Sequence, residues 1–189
     1  MIIDAAARQF ISRGFSGASM RQIAQEAGIA LGGIYNHFGS KEDLFTAVVA
    51  AKHPLNQIAP LLAEVEGRDA ENLLREGARR ILGVLEKDQS LLRLVFIELV
   101  EFDGQHVPAL FEHLFPNVQA FVQKLLAMPG KFKPYAPMTL ARVYFGMVLS
   151  QAMIDLLLRD LPLPEEGGSL DDIMDIFMHG ALQTAESND

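Results

Sequence analysis

This 189-residue chain contains no cysteine. That excludes a disulfide framework, a thiol nucleophile and a cysteine-ligated metal. Positive charge is scarce as well: sixteen Lys and Arg stand against twenty-four Asp and Glu, for a net charge of −8. Such a balance discourages non-specific wrapping of nucleic acid, because phosphates are bound by Lys and Arg. Long uncharged hydrophobic runs are lacking too. Glu98, Glu101 and Asp155 interrupt the most apolar stretches, so no segment is expected to span a bilayer. No N-terminal run has the basic start and apolar centre of a signal peptide, and the expectation is a soluble cytoplasmic protein. Strand-like alternation, internal repeats and low-complexity tracts are also missing. What remains is helical periodicity punctuated by Gly and Pro, which sets the fold class as all-α.

The charge is unevenly spread. Residues 1–52 carry five basic and four acidic side chains, for +1, whereas residues 53–189 carry eleven and twenty, for −9. The acidic excess therefore lies outside the N-terminal segment, where a solvated acidic surface accounts for most of it.

Between Ser19 and Lys41 the chain reads SMRQIAQEAGIALGGIYNHFGSK, with the punctuation of a helix-turn-helix. Ser19 is placed to cap a helix whose N3 position is Gln22, so that the two side chains satisfy backbone amides reciprocally. Ile23, Ala24 and Ala27 form a narrow apolar stripe at helical spacing. Gly28 supplies the left-handed residue that ends the helix, with Ile29 placed to fold back on Ala24. A short helix is expected from about Leu31 to Phe38. Ser40 opens another, with Leu44, Phe45 and Val48 on its inner face. A helix, a tight glycine turn and a second helix can place that second helix in a DNA major groove. An ordinary helical hairpin shares this spacing.

The run from Gly28 to Phe45, with its Tyr35-Asn36-His37-Phe38 and Ser40-Lys41-Glu42 segments, resembles the N-terminal domain of the TetR/AcrR family. The preceding IIDAAARQFISRGF fits that family's first helix, so the resemblance covers roughly residues 2–50. It implies a homodimeric transcriptional repressor that leaves its operator DNA when a small molecule fills the C-terminal domain. By position it assigns backbone-phosphate contacts to Ser19, Arg21, Tyr35, His37 and Lys41. Leu31, Gly33 and Asn36 would face outward from the recognition helix, Asn36 able to bond adenine and Leu31 a thymine methyl. Two departures stand out. Ala30 and Leu31 are apolar where relatives often carry a capping residue and a polar one. Adjacent Gly32 and Gly33 each cost a helix about 1 kcal/mol, which a close approach of DNA or a loosely formed helix would explain.

Beyond the head (residues 1–52), residues 53–189 are expected to form a helical effector-binding and dimerisation domain. The helix opened by Ser40 runs to about Lys52, His53-Pro54 bends the backbone, and residues 55–66 continue it. Further helices are expected over about 70–87, 90–102, 107–127, 135–160 and 170–186. The 90–102 helix is apolar on nearly every side and should be buried, and Pro116 should kink its successor. Around them, Phe96, Phe102, Phe111, Phe115, Phe121, Phe145, Met147 and Met153 are candidate cavity walls. Among polar residues in that apolar setting (Glu98, Glu101, His106, His113, Tyr144, Ser150, Gln151), Glu98 is the candidate ligand contact, although pairing or capping would equally explain such groups. The resemblance puts the dimer interface on the last two helices, with Leu149, Met153, Ile173 and Phe177 as candidates. Internal packing would use the same stripes.

A helical enzyme or metal protein would need converging acids, bases or ligands. His106 and His113 lack the Glu-x-x-His pairing of a di-iron bundle, and no nucleophile–base pair or phosphate-cradling loop is found. No catalytic residue, metal site or cofactor is expected. The remaining alternative is a binding protein of this fold whose head no longer holds DNA.

Overall fold

The computed structural model describes residues 1–128, 132–158, 160–161 and 168–181, without the side chains of His113 and Ala181. Among the described residues ten helices follow one another: α1 (Ile2–Gly17), α2 (Met20–Ala27), α3 (Leu31–Tyr35), α4 (Lys41–Lys52), α5 (Leu55–Ala63), α6 (Ala70–Lys87), α7 (Ser90–Phe102), α8 (Val107–Ala127), α9 (Pro137–Leu158) and α10 (Leu170–Ala181). No strand occurs among the described residues. The last expected helix is described only to Ala181, and its final five positions lie outside the described residues.

Two compact units emerge, one of Met1–Gln57 with Asp88–Pro116, the other of Ile58–Lys87 with Asn117–Asp189. This differs from a single cut after residue 52, because α7 and the first part of α8 join the head's unit. Aromatic packing is the reason. Phe10 and Phe45 are fully buried. Phe15 stacks on Phe10 at 5.7 Å, and Phe102 of α7 lies 4.6 Å from Phe15 and 4.5 Å from Phe45, between ring centroids. Gly14 interrupts α1 with φ 72° and ψ 169°, which lets Phe15 turn back as the glycine-terminated helix predicts. One expectation fails in this unit. α7 buries Leu91, Leu92, Leu94, Ile97 and Glu98, but Leu99 is 60% and Val100 74% exposed, so the helix is half-buried rather than enclosed.

In the second unit α6, α9 and α10 pack around Leu73, Leu74, Phe121, Tyr144, Val148 and Met174. Gly77 makes this possible, since a Cβ there would sit 2.8 Å from the Tyr144 hydroxyl and 3.1 Å from the Phe121 ring. Tyr144 donates its hydroxyl proton to the Leu74 carbonyl at 2.8 Å, satisfying a buried group that would otherwise be costly. Arg75 ties α6 to α10 by pairing with Asp171 and Asp175 while also holding Glu71. α9 corrects the sequence expectation about membranes. It is long and apolar enough to cross a bilayer by length and composition. Its buried positions, Tyr144, Val148 and Ala152, recur every four residues and define one packed stripe. Val143, Leu149, Ile154 and Leu157 elsewhere on the helix are exposed.

Candidate nucleic-acid interface

α2 begins as its cap predicts. The Ser19 Oγ accepts from the Gln22 amide at 3.3 Å. The reciprocal half differs, because the Gln22 side chain takes the Ser19 hydroxyl proton at 2.9 Å instead of reaching a backbone amide. At the other end Gly28 is left-handed (φ 69°, ψ 29°), the Ile29 amide donates to the Ala24 carbonyl at 3.0 Å, and the Gly28 amide to Gln25 at 3.2 Å. These two bonds close the tight turn and fix the direction in which the chain leaves α2.

α3 is shorter than its pattern suggests, ending at Tyr35 rather than Phe38. Its N-cap, Ala30, makes no side-chain bond, and beyond Tyr35 the His37 amide reaches only three residues back, to Ile34. One side chain anchors it: Ile34 is fully buried. Around that anchor Leu31, Gly32, Tyr35, Asn36 and His37 are exposed, with Leu31 at 39% and Tyr35 at 51%. Gly33, expected on the outward face, is half-buried, and a Cβ there would meet Ile29 at 3.6 Å. Gly32 is the residue that opens outward, with nothing within 4 Å of where its Cβ would be.

Ser19 and Arg21 are exposed beside the α2 N-terminus, and Arg21 makes no hydrogen bond or ion pair among the described residues. Arg8, by contrast, is held by Glu26 at 2.5 Å, and Lys52 by Asp4 at 2.7 Å. Lys41 is partly engaged. Its ammonium donates to the Phe15 carbonyl at 2.8 Å and the Ala18 carbonyl at 3.0 Å, lying 4.4 Å over the Phe15 ring, which leaves one of its three donors. The candidate contacts Ser19, Arg21, Leu31, Tyr35, Asn36 and His37 are thus all exposed, on or beside α2 and α3, whereas Lys41 is partly engaged and Gly33 half-buried.

The sequence profile of bacterial regulatory proteins of the tetR family matches residues 2–48, the helices just described. The transcriptional repressor AcnR of Corynebacterium diphtheriae is 29% identical over 151 residues, spanning 78% of this chain and 75% of that protein. Residues 2–48 thus carry the N-terminal domain of tetR-family bacterial regulators. The Pseudomonas putida regulator SrpR is 46% identical over 55 residues, but that match spans only 29% of this chain and 26% of SrpR. Among solved structures, the regulator FadR of Bacillus subtilis in complex with stearoyl-CoA superposes with a TM-score of 0.74 at 18% identity, covering 95% of this chain and 97% of that one.

Outside the matched head, the chain holds a cavity of about 40 Å³ in the second unit, lined by residues that include Leu74, Phe121, Leu125, Leu140, Tyr144, Phe145 and Phe177. Of the candidate pocket residues, Phe121 and Phe145 belong to it. Phe96, Glu98, Phe102, Phe111 and Phe115 are in the other unit and do not line it. Both Glu98 oxygens are taken by His106, one by its amide at 2.7 Å and one by its Nδ1 at 2.8 Å, which closes the α7–α8 turn. Met147 and Ile173 instead border an open groove on α9 and α10. Leu149 is exposed and Met153 half-buried. Phe177, a candidate for the dimer interface, is buried inside its own unit against Tyr144, 5.9 Å between ring centroids. The His113 side chain lies outside the described residues.

Proposed function

We propose that the chain is a homodimeric repressor that binds operator DNA through the exposed face of α2 and α3 and leaves it when a small molecule fills the C-terminal helical unit. One observation carries the DNA half. A single buried residue, Ile34, holds α3 while polar and apolar groups suited to base edges and phosphates stand free on its other side. Arg21, exposed beside the α2 N-terminus and without an ion pair among the described residues, adds a cation where free amides converge. Sparse base-reading groups on so short a helix favour specificity that leans on DNA shape.

The effector half is supported by the apolar cavity in the second unit. Every residue named there is apolar except Tyr144, whose hydroxyl is already committed to Leu74. Two copies would join through α9 and α10, where Val143, Leu149, Ile154, Leu157 and Ile176 are exposed. Two heads held in this way can read two half-sites one helical turn apart. Such a regulator acts in the cytoplasm, where its DNA lies, and no catalytic step is assigned to it.

Titration of the protein onto DNA flanking its own gene, at several salt concentrations and against scrambled competitor, tests this. Saturable binding that resists competitor and weakens with salt is expected. Equal, weak binding to both DNAs, repeated with fragments selected from the genome, would instead leave a ligand-binding protein of this fold.

A further inference from the structure

The segment that launches the helix-turn-helix is held by a residue far outside it. Gly14 ends the regular part of α1, and the next four residues, Phe15 to Ala18, form the turn that delivers the chain to Ser19. Three donors of that turn converge on one carboxylate. The Phe15 amide donates to Glu101 Oε1 at 2.8 Å, the Ser16 amide to Oε2 at 2.9 Å, and the Ser16 hydroxyl to Oε2 at 2.7 Å. The carbonyls of the same turn, at Phe15 and Ala18, accept from the Lys41 ammonium. A negative group therefore holds its amides and a positive group its carbonyls, each matched to the local backbone dipole. Gly14 serves both: its positive φ makes the break, and a Cβ there would lie 3.1 Å from Glu101 Oε1.

We propose that Glu101, on α7, is a positioning residue for DNA recognition, acting through the Phe15–Ala18 turn to set where α2 and α3 meet the duplex. The proposal rests on the DNA-binding function inferred above. Desolvation works against the carboxylate's charge, yet the Ser16 hydroxyl, the two amides and the Lys41 charge outweigh it and hold the group below the usual glutamate range. Glu101 is thus ionised whenever the protein works near neutrality.

The test exploits a difference in sign. Removing an acidic side chain from a DNA-binding surface strengthens phosphate attraction, so a purely electrostatic role predicts tighter binding for Glu101→Ala. A positioning role predicts that specific affinity falls by about tenfold or more while non-specific affinity at low salt holds or rises. Glu101→Gln, which keeps one acceptor oxygen, and Ser16→Ala, which loses only the hydroxyl bond, should fall in between. They also keep the test decisive if the alanine variant folds poorly.

A second readout needs no DNA. In the full chain, the Phe15 and Ser16 amide resonances should shift together with an apparent pKa below 4.5, the ordinary value for a glutamate, and cease to do so in Glu101→Gln. Specific binding that is unchanged or tighter in all three variants would overturn the proposal, as would amides that ignore the carboxyl's titration. Wild-type protein that binds no DNA specifically, with amides that still titrate, would overturn the DNA function and leave the clamp itself standing.

Discussion

His53 shows how one side chain ties this fold to pH. It is 5% exposed, and burial pushes its pKa from 6.5 down to about 4, the Glu98 charge opposing the shift. Neutrality fits its bonding, because Nδ1 accepts from the Leu55 amide at 3.3 Å and so carries no proton. The unfolded chain binds a proton at His53 more readily than the folded one. Its stabilising contribution is therefore complete above pH 6.5 and is lost as pH falls from there through about 4. That difference amounts to about 3 kcal/mol across the window. Thermal unfolding of wild type and His53→Leu between pH 7 and 4 should show a shallower decline for the variant. Parallel curves would mean that another group carries the acid sensitivity.

At the scale of elements, α3 is the weakest link, with five residues, no side-chain cap and two adjacent glycines. Neither glycine has positive φ, and Gly32 faces open space, so nothing inside the protein demands glycine there. Gly32→Ala should stabilise α3 by about 1 kcal/mol, raising the melting temperature by about 2–4 °C for a chain of this size. It should also weaken DNA binding, because the added methyl stands where the duplex approaches. Stabilisation accompanied by tighter binding would show instead that the glycines only loosen the free helix. Element positions were legible in the sequence wherever punctuation is local: Ser19, Gly28, Ser40 and the proline-rich breaks act within a turn or two of themselves. Much of the candidate DNA face was legible for the same reason. Contacts between distant segments were not. Glu101 stands 86 residues from Phe15, and no spacing rule links a carboxylate on one helix to amides on another. The apolar runs were ambiguous in a different way, since an exposed Leu99 and a buried Leu94 on α7 look alike in sequence. Phe177 is buried within its own unit, and an inward and an outward stripe on α10 have similar composition, so its side of the helix was not legible.

For the whole molecule, the exposed apolar surface of α9 and α10 sets the expected assembly. Leu157 is 71% and Ile176 72% exposed, alongside the exposed Val143, Leu149 and Ile154, and an apolar surface of this kind suits association where it forms a contiguous patch. Sedimentation should find a dimer at micromolar concentration, and Leu157→Glu with Ile176→Glu should shift it to monomer and abolish cooperative operator binding while leaving helix content unchanged. A double variant that remains dimeric would move the interface to another face. The clamp on the Phe15–Ala18 turn has a practical consequence for anyone wishing to re-wire such regulators. Its carboxylate and the Phe102 ring that covers Phe15 both come from α7, outside the matched residues 2–48. A chimera spliced after the first four helices would inherit the reading surface without the parts that hold it in register, so a transferable module must carry α7 along.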